Sequence, residues 1–464
     1  MKEDCRKAFK KIQEVILKMN QKKTAFLTLG CKVNSYETNA MEKLFEEAGY
    51  EIVPFSEEAD VYVINTCTVT NIADRKSRQM LHRARKKNPE AVIVAAGCYV
   101  QAAKETLEKD LSIDVIVGNN EKSQIVHLVE AFKKDNGIIM SVSENTQKWE
   151  YEEMQITSTG DKTRAYIKIQ DGCNQYCSYC IIPYARGRVR SRADEDIIVE
   201  VKKLAEQGYK EIVLTGIHLS SYGMDEENRD FVKLQGKPLL RLIEKLQEVE
   251  GIKRIRLGSL EPRIISASFA EKLASFKKVC PHFHLSLQSG CNDTLKRMNR
   301  QYTTQEYSVK CDILRKYFEN PAITTDVIVG FPGETEEEFS ETKEFLRQVS
   351  FAQMHIFKYS VRKGTAAEKM QKHISEDVKH KRSETLIALE ETLEENFQEK
   401  FIGKKEEILL EEMVNINEKS YYIGHTKRYV KCAVPAEAHL KSNQLVSVFI
   451  EKKLCKNILL CKII

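Results

Sequence analysis

Three cysteines in one short stretch, Cys173, Cys177 and Cys180, have the spacing C-x3-C-x2-C. No fourth cysteine or histidine follows closely enough to complete the four-ligand set of a structural zinc ion. A cubane iron–sulfur cluster also normally takes four thiolates, one for each iron. The spacing therefore predicts a cluster with one iron open to another ligand. The alternative is three cysteines that only fill a core, but cysteine is uncommon, and the flanking Gly172 and Pro183 are unusual core companions.

A second set of cysteines follows three candidate strands, each by two or three residues. Alternating strands and helices in this region predict a parallel sheet with right-handed crossovers. Because ligands bind beyond the carboxyl ends of such strands, cysteines far apart in the chain become neighbours. We therefore expect a second three-cysteine cluster site. The cysteines are Cys31, Cys67 and Cys98, and the strands are predicted at Thr24–Leu29, Ala59–Ile64 and Ala91–Ala96.

A second α/β region begins near Arg164, where six strand–helix units predict a partial, open barrel of the TIM type. Its active site is expected at the C-terminal ends of the strands, and the Cys173 loop follows the first of them. Polar and glycine-rich turns follow the later strands and could bind a polar nucleoside cofactor. Glu334 and His218 in these turns have structural alternatives, as a helix N-terminal charge and a hydrogen-bonding group. The strands are predicted at Ala165–Gln170, Glu211–Thr215, Arg254–Leu257, His282–Leu287, Ile323–Val329 and Met354–Tyr359.

The C-terminal region has a different pattern. A charged helix over Glu376–Gln398 precedes short alternating strands that predict a small antiparallel barrel. Residues 401–464 hold 11 Lys and Arg against 7 Asp and Glu, and their aromatic and basic side chains suit binding of single-stranded RNA. A purely structural β-module is the alternative. The strands are predicted at Glu407–Glu411, Tyr421–His425, Lys427–Val434 and Gln444–Ile450, and the RNA-binding candidates are Tyr421, Tyr422, Tyr429, Lys427, Arg428 and Lys431.

Two further basic stretches each have two open interpretations. The helical stretch Arg75–Lys87 is either a solvated helix face or an RNA contact. The arginines that follow the cysteine loop either hold an RNA backbone or pair with carboxylates on the barrel rim. These arginines are Arg186, Arg188, Arg190 and Arg192.

Length and composition set outer limits on the class of protein. The 464 residues allow two to four domains, and the composition, 42% apolar and 30% charged, is that of a soluble protein. We find no apolar run of the roughly 20 residues that span a bilayer and no export signal. Thirteen cysteines in such a chain favour metal or redox chemistry over disulfides. A cytoplasmic protein with no membrane partner is expected.

These patterns give a domain plan. Residues 1–20 are predicted to be an N-terminal extension, with Met19 an alternative start to Met1. The first α/β domain spans 21–147, and a linker spans 148–161. The barrel with its connecting helix occupies 162–399, and the small β-barrel occupies 400–464.

The two cysteine sets together resemble those of the radical S-adenosylmethionine (SAM) methylthiotransferases, over residues 23 to 464. The resemblance implies a flavodoxin-like domain, a radical-SAM partial (βα)6 barrel and a TRAM β-barrel, in that order. Residues 29–38, Leu-Gly-Cys-Lys-Val-Asn-Ser-Tyr-Glu-Thr, and the loop 171–187 are similar to the branch acting on N6-threonylcarbamoyladenosine of tRNA. Lys32-Val33-Asn34 fits neither the isopentenyladenosine branch nor the branch modifying a ribosomal-protein aspartate. Cys291, where relatives often have serine, is treated as structural.

The resemblance implies an enzyme, a transferase with two [4Fe–4S] clusters and SAM as cofactors. General acid–base catalysis does not remove the non-acidic hydrogen of an aromatic C–H, but a radical supplied by the cofactors does. Cys173, Cys177 and Cys180 would bind the cluster that cleaves SAM to a 5′-deoxyadenosyl radical. Cys31, Cys67 and Cys98 would bind the cluster that carries the sulfur. Candidate SAM-binding residues are Tyr179, Gly216, Ser259, Gln288 and Arg362.

The implied substrate is an adenosine beside the anticodon, in a tRNA loop where bases can be splayed out and stacked. An external electron donor and a sulfur source are the other implied partners. Two rival functions remain at this point. One is methylthiolation of another tRNA adenosine or of a ribosomal protein, and the other is a non-catalytic iron–sulfur protein that binds RNA or carries electrons.

Overall fold

The computed structural model describes residues 21–133, 137–143, 150–156, 163–224 and 236–464. The predicted extension 1–20 and half of the predicted linker 148–161, namely residues 148–149 and 157–161, lie outside these ranges. The chain divides into two compact units. The first contains the described residues up to Ile156 together with Tyr184–Arg186, and the second contains the rest. Among the described residues, no helix combines the length and the apolarity needed to cross a membrane.

The first unit is built on a parallel six-stranded sheet with the order β2-β1-β3-β4-β5-β6. Every residue of β3 is buried, as expected for a central strand covered by helices on both faces. The predicted α/β class is confirmed, and three short strands, of which β2 and β6 lie at the edges, extend the three that we predicted. The strands are β1 Lys23–Thr28, β2 Glu51–Val53, β3 Val61–Thr66, β4 Val92–Gly97, β5 Val115–Val117 and β6 Ile139–Ser141.

The helices of this unit follow from local signals in the sequence. Thr70 caps the basic helix by accepting a hydrogen bond from the Ala73 amide at 3.1 Å. That helix buries only Ser77, Leu81 and Ala84, so its charged residues face outward. The helices are α1 Lys32–Glu47, α2 Asn71–Lys87, α3 Cys98–Ala102, α4 Lys104–Leu107 and α5 Ile125–Ala131.

The second unit begins with the predicted partial barrel. Its strands follow the spatial order β7-β9-β10-β11-β12-β13, and a parallel bridge from Leu260 to Leu285 joins its two hydrogen-bonded halves. Strand β11 is shorter than predicted and ends at His284. The short β8 pairs antiparallel with β7 at the rim. The strands are β7 Arg164–Asp171, β8 Arg190–Ser191, β9 Glu211–Gly216, β10 Arg254–Leu257, β11 His282–His284, β12 Ala322–Val329 and β13 Gln353–Lys358.

Helices cover the outer face of this arc of strands. Two of them begin with complete capping boxes, Thr303 with Glu306 and Thr335 with Glu338, which satisfy otherwise unpaired amides at the helix start. The helices are α6 Ile182–Arg186, α7 Asp194–Glu206, α8 Lys237–Gln247, α9 Ala267–Ala274, α10 Asn292–Arg297, α11 Thr304–Tyr317, α12 Glu336–Val349 and α13 Glu376–Glu399.

The C-terminal residues form a closed five-stranded barrel with the order β14-β15-β16-β18-β17. All pairs are antiparallel except β16 with β18, which are parallel. Strand β18 was not among the strands that we predicted. Alternate apolar residues such as Ile408, Leu410, Val448 and Ile450 fill its core. The strands are β14 Lys405–Ile416, β15 Lys419–Thr426, β16 Lys431–Pro435, β17 Leu445–Cys455 and β18 Ile458–Ile463.

This small barrel packs beneath the N-terminal ends of the strands of the partial barrel. Buried Arg254 donates hydrogen bonds to the carbonyl oxygens of His425 and Glu407 at 2.9 and 2.7 Å. Tyr429 lies under the guanidinium groups of Arg164 and Arg256, at 5.0 and 4.8 Å from its ring centre.

Two residues predicted to bind RNA thus make their contacts within this unit. Besides Tyr429, Arg428 pairs with Glu406 at 3.0 Å and donates to the carbonyl oxygens of Glu319 and Asn320. Tyr421 is buried in the small barrel. The other candidates, Tyr422, Lys427 and Lys431, are half-buried.

Candidate active site

The set of Cys31, Cys67 and Cys98 lies at the carboxyl edge of the six-stranded sheet, as predicted. Cys31 directly precedes α1, Cys67 follows β3, and Cys98 is the first residue of α3 after β4. A Cβ atom added at Gly30 would lie 2.8 Å from the Cys67 sulfur, so only glycine lets these segments approach so closely.

The thiols of this set affect one another's ionisation. The pKa of Cys67 is raised to about 11, chiefly by burial, with the nearby Cys98 and Cys31 adding to the rise and Arg186 opposing it. Metal ions bind the thiolate form, so a bound cluster would displace these protons. Three convergent sulfurs, with no fourth ligand beside them in the described part of the chain, fit a [4Fe–4S] cluster with one open iron.

Arg186 is the buried cation of this set, and sequence reasoning left its role open. Its Nε donates to the Cys98 sulfur at 3.1 Å, and its Nη2 donates to Asn34 Oδ1 at 2.7 Å. Its Nη1 and Nη2 also donate to the two oxygens of the Glu37 carboxylate, at 2.8 and 3.0 Å. Arg186 and Glu37 are both fully buried. Of the two interpretations, pairing with a carboxylate is therefore the one observed, although the partner lies on α1 rather than on the barrel rim.

Glu37 contacts a second buried cation. Lys122, also fully buried, lies 3.1 Å from the same carboxylate and 2.9 Å from Asn119 Oδ1. An iron–sulfur cluster held by three thiolates carries negative charge, which the Arg186 guanidinium beside the Cys98 sulfur would stabilise in a buried site.

The set of Cys173, Cys177 and Cys180 lies in the loop after β7. The Cys173 amide donates to the Gly187 carbonyl oxygen at 3.0 Å, and the Cys180 amide donates to that of Cys177 at 3.0 Å. Ser178, between the ligands, is tied to α10 by its hydroxyl, which donates to the Arg297 carbonyl oxygen at 2.7 Å. These bonds hold the three sulfurs in one compact loop.

An arginine contacts this cysteine set too. Arg300 Nη1 donates to the Cys177 sulfur at 3.3 Å, and Nη2 donates to the Ser286 carbonyl oxygen at 3.1 Å. The pKa of Cys173 is raised to about 12, chiefly by burial, with Cys177 adding to the rise and Arg300 opposing it. Sequence reasoning missed Arg300, because it lies 120 residues from Cys180 with no motif around it. Each cysteine set therefore has one guanidinium group donating to one of its sulfurs.

Gly172, just before the cluster loop, gives a prediction. Its φ is +71°, and an added Cβ would lie 1.9 Å from the Arg188 carbonyl oxygen. We expect Gly172→Ala to displace the loop and remove most of the iron from this site, at a cost above the roughly 1–3 kcal/mol of left-handed strain alone. Iron analysis and thermal unfolding measure both effects.

The matched control is Gly208→Ala. Gly208 has φ +96° but nothing within 4 Å of an added Cβ, so it tests strain without a clash. Equal iron contents in the two variants would contradict the role assigned to Gly172.

The five predicted SAM-binding residues have different surroundings. Tyr179 packs edge-on against Phe331, with ring centres 6.4 Å apart. Gly216 lies against the Gln170 side chain, where a Cβ would be 2.8 Å from Oε1. Ser259 is exposed, and Arg362 is buried. Gln288 has φ +76°, and its amide donates to the Asp326 carbonyl oxygen at 2.9 Å.

Two other turn residues have structural roles. His218 Nδ1 lies 2.7 Å from Ser221 Oγ, and burial lowers the pKa of His218 to about 3, so the imidazole is neutral. Glu334 precedes the N-terminal cap of α12, where it accepts the Gly330 amide at 3.0 Å and pairs with Arg382 at 2.6 Å. Glu334 is therefore not the helix N-terminal charge that we considered.

The remaining basic residues divide by burial. Arg190 pairs with Asp171 at 3.3 Å and Arg192 with Glu200 at 2.5 Å, and both arginines are buried. Arg188 is exposed. On α2, exposed basic residues form the outer face, namely Arg75, Lys76, Arg83, Lys86 and Lys87.

Comparison with known proteins gives the class first. Residues 167–346 match the model of the Radical SAM superfamily, and residues 23–118 match that of the Uncharacterized protein family UPF0004. The solved structure of the radical SAM methyltransferase TsrM from Kitasatospora setae has a similar fold. It has a TM-score of 0.52 and 15% identity, and the match covers 73% of this chain and 75% of that one.

Curated relatives then give the family. The chain is 43% identical to the threonylcarbamoyladenosine tRNA methylthiotransferase MtaB of Bacillus subtilis, over 88% of this chain and 89% of that protein. It is 41% identical to MtaB of Aquifex aeolicus, over 82% and 91%. It is 35% identical to a tRNA-2-methylthio-N(6)-dimethylallyladenosine synthase of Thermodesulfovibrio yellowstonii, over 92% and 95%. The chain therefore belongs to the radical SAM tRNA methylthiotransferase family, whose chemistry uses SAM and [4Fe–4S] clusters.

Proposed function

We propose that this protein converts N6-threonylcarbamoyladenosine at position 37 of tRNA to its 2-methylthio derivative. The observation that carries the proposal is the pair of three-cysteine sets, each with an arginine donating to one sulfur. Two open-iron sites suit a reaction that must both activate a C–H bond and deliver sulfur. The MtaB relatives support the choice of nucleoside. An external electron donor, a sulfur source and a cytoplasmic location with the tRNA are parts of the same proposal.

The roles of the chain's own residues follow from their positions. Cys173, Cys177 and Cys180 would hold one cluster, and Cys31, Cys67 and Cys98 the other. When bound, the clusters and SAM supply the radical and the sulfur that carbon–sulfur bond formation at an aromatic C–H requires. Arg300 and Arg186 would hold one sulfur of each set in place and offset negative charge, and Gly30 and Gly172 let the ligand-bearing segments approach.

SAM would bind on the barrel face that carries the Cys173 loop. Tyr179, Gly216, Ser259, Gln288 and Arg362 remain our candidates for this role. Gln288 supports it by its position, since its left-handed backbone turns the chain at the carboxyl side of β11.

The decisive experiment is nucleoside mass spectrometry of tRNA from a strain lacking this gene. We expect the 2-methylthio form of threonylcarbamoyladenosine to disappear and its unmethylthiolated precursor to accumulate. The matched control is the deletion strain complemented with the wild-type gene. Persistence of the methylthio form at its normal level would overturn the choice of substrate.

The same measurement separates the two tRNA branches, since loss of methylthio-isopentenyladenosine instead would identify the other one. Mass spectrometry of the ribosomal proteins from the same strain tests the protein branch, which loss of a methylthiolated aspartate would identify. A non-catalytic iron–sulfur protein would leave all three modifications unchanged.

A further inference from the structure

One group of side chains on the radical-SAM barrel has no part in the functions above. His284, Asp326 and His355 lie on the adjacent strands β11, β12 and β13, with their ligand atoms within 4.8 Å of one another. His284 Nε2 lies 3.3 Å from Asp326 Oδ2, and the two imidazole rings stack with centres 6.1 Å apart. His284 Nδ1 lies 3.0 Å from Thr324 Oγ1, which fixes the orientation of the ring.

These side chains face the interior of the barrel. Neighbouring residues of the same segments point the other way, towards the helices. Thr325 donates to the Leu285 carbonyl oxygen at 2.6 Å, and so does Tyr307 of α11 at 2.9 Å. Because side chains alternate along a strand, Asp326 points away from that helical layer. His355 is directly opposite Asp326 in the parallel pair, and it is exposed.

An exposed aromatic side chain adjoins the group on the same face. Phe357 is two residues after His355, so both lie on one side of β13. Its side chain is 46% exposed, which is unusual for phenylalanine within a barrel. An exposed aromatic ring beside hydrogen-bonding groups is the combination that proteins use to stack a base and read its substituents.

A polar cavity of about 220 Å³ is lined by residues of β11, β12 and β13 and by residues of the small β-barrel, next to the group but without a lining residue from it. Three of its lining residues, His282, Thr324 and Gln353, each precede a member of the group by two positions on the same strand. They therefore share its face of the sheet. The volume is below the roughly 300–1,000 Å³ of pockets for whole drug-sized ligands, so the cavity suits a substituent.

Another lining residue, Glu394, can contribute a hydrogen-bond donor to this cavity. Burial raises its pKa to about 7, with repulsion from Glu390 adding to the effect. A protonated carboxyl can donate to a carbonyl or carboxylate oxygen.

The group is also close to the radical-SAM cluster site. Arg300 contacts both the Cys177 sulfur and the Ser286 carbonyl oxygen. Ser286 is two residues after His284, a separation of about 7 Å along an extended chain. A nucleoside bound near that cluster site could thus extend a substituent to the group.

We propose that His284, Asp326 and His355, together with the cavity beside them, bind the N6 substituent of the target adenosine. The inference rests on the proposed substrate, whose threonylcarbamoyl group carries a ureido unit, a hydroxyl and a carboxylate. Imidazole N–H groups donate to carboxylate and carbonyl oxygens, and the Asp326 carboxylate accepts from a hydroxyl or N–H. An isopentenyl group offers none of these partners, and it would leave the polar group desolvated and unpaired.

The test compares variants of the enzyme loaded with both clusters. The substrates are one tRNA carrying threonylcarbamoyladenosine and the same tRNA carrying unmodified adenosine. We expect His355→Leu to lower kcat/KM for the modified tRNA about 10- to 100-fold, the size of a lost hydrogen bond to a charged group. His355→Gln should recover part of the loss, and Asp326→Asn should narrow the preference for the modified tRNA. SAM cleavage without tRNA should not change.

The matched control is His380→Leu, since His380 is an exposed histidine on α13 that lies 3.3 Å from Glu384, away from the group. An unchanged kcat/KM in His355→Leu overturns the subsite while leaving the proposed function intact. A wild-type enzyme that modifies only tRNA without the threonylcarbamoyl group overturns the proposed function itself. One zinc or manganese ion per chain, bound by the cluster-loaded wild type and lost in His355→Leu, would show a metal site and overturn the proposal.

Discussion

Cys177→Ala is expected to abolish formation of 5′-deoxyadenosine from SAM, whereas Cys67→Ala is expected to preserve it. The two cysteines belong to separate sets in separate compact units. A cluster needs all three thiolates of its set to leave one iron open for SAM, so removing Cys177 removes the site of SAM cleavage. Cys67→Ala leaves that site intact but removes a ligand from the other set. Both variants should lose methylthiolation of tRNA.

Iron content and product analysis distinguish these outcomes. Anaerobically reconstituted wild type should hold about eight irons per chain, and each variant about four. Cys311→Ala is the control, because Cys311 is a buried cysteine on α11 outside both sets, and it should retain the wild-type iron content. The two-cluster scheme is wrong if the wild type binds only about four irons, or if Cys177→Ala still cleaves SAM.

The sequence predicted both cysteine sets because their signals are local. In one set the spacing itself is the signal, and in the other each cysteine ends a strand that its apolar residues make recognisable. Parallel strands bring their carboxyl ends to one edge, so three short-range patterns were enough to predict a long-range site.

The polar partners of the cysteines could not be found in this way. Glu37 looks like an ordinary helical residue until α1 packs on the sheet, where it becomes fully buried beside Arg186. The group around His284 was missed for a related reason, because 71 residues separate His284 from His355. Side-chain partners across strands depend on register, and β11 was predicted to be three residues too long at its C-terminal end.

In the C-terminal barrel, too, the sequence indicated the fold but not the partners of its polar side chains. Alternating apolar residues indicated the class of fold, but mixed aromatic and basic residues did not show which surface they serve. Tyr429 and Arg428 contact the radical-SAM barrel, because its buried arginines and backbone carbonyls offer them partners. Composition alone does not distinguish an RNA-binding surface from an internal polar interface.

Arg186→Met is expected to destabilise the first unit and to impair its cluster, because the guanidinium group serves both. Breaking a buried ion pair by removing one partner costs roughly 3–5 kcal/mol, since the other charge stays buried. We expect a loss at the low end of that range, because Lys122 still neutralises Glu37 at 3.1 Å. Chemical unfolding of the cluster-free protein measures this part. Arg186→Met/Glu37→Gln should lose more stability than Arg186→Met, since it also leaves the buried Lys122 ammonium without its carboxylate partner.

Arg186→Met should also change the reduction potential of the cluster. Losing the donor to the Cys98 sulfur removes a positive charge that favours the more negative, reduced cluster. The reduction potential of the cluster at Cys31, Cys67 and Cys98 should therefore fall. Spectroscopic redox titration measures it, and SAM cleavage at the other cluster should be unchanged. Arg188→Met is the control, because Arg188 is exposed and surface changes usually stay within about 0.5 kcal/mol. An unaltered potential in Arg186→Met, with the cluster fully loaded, would mean that Arg186 only stabilises the fold.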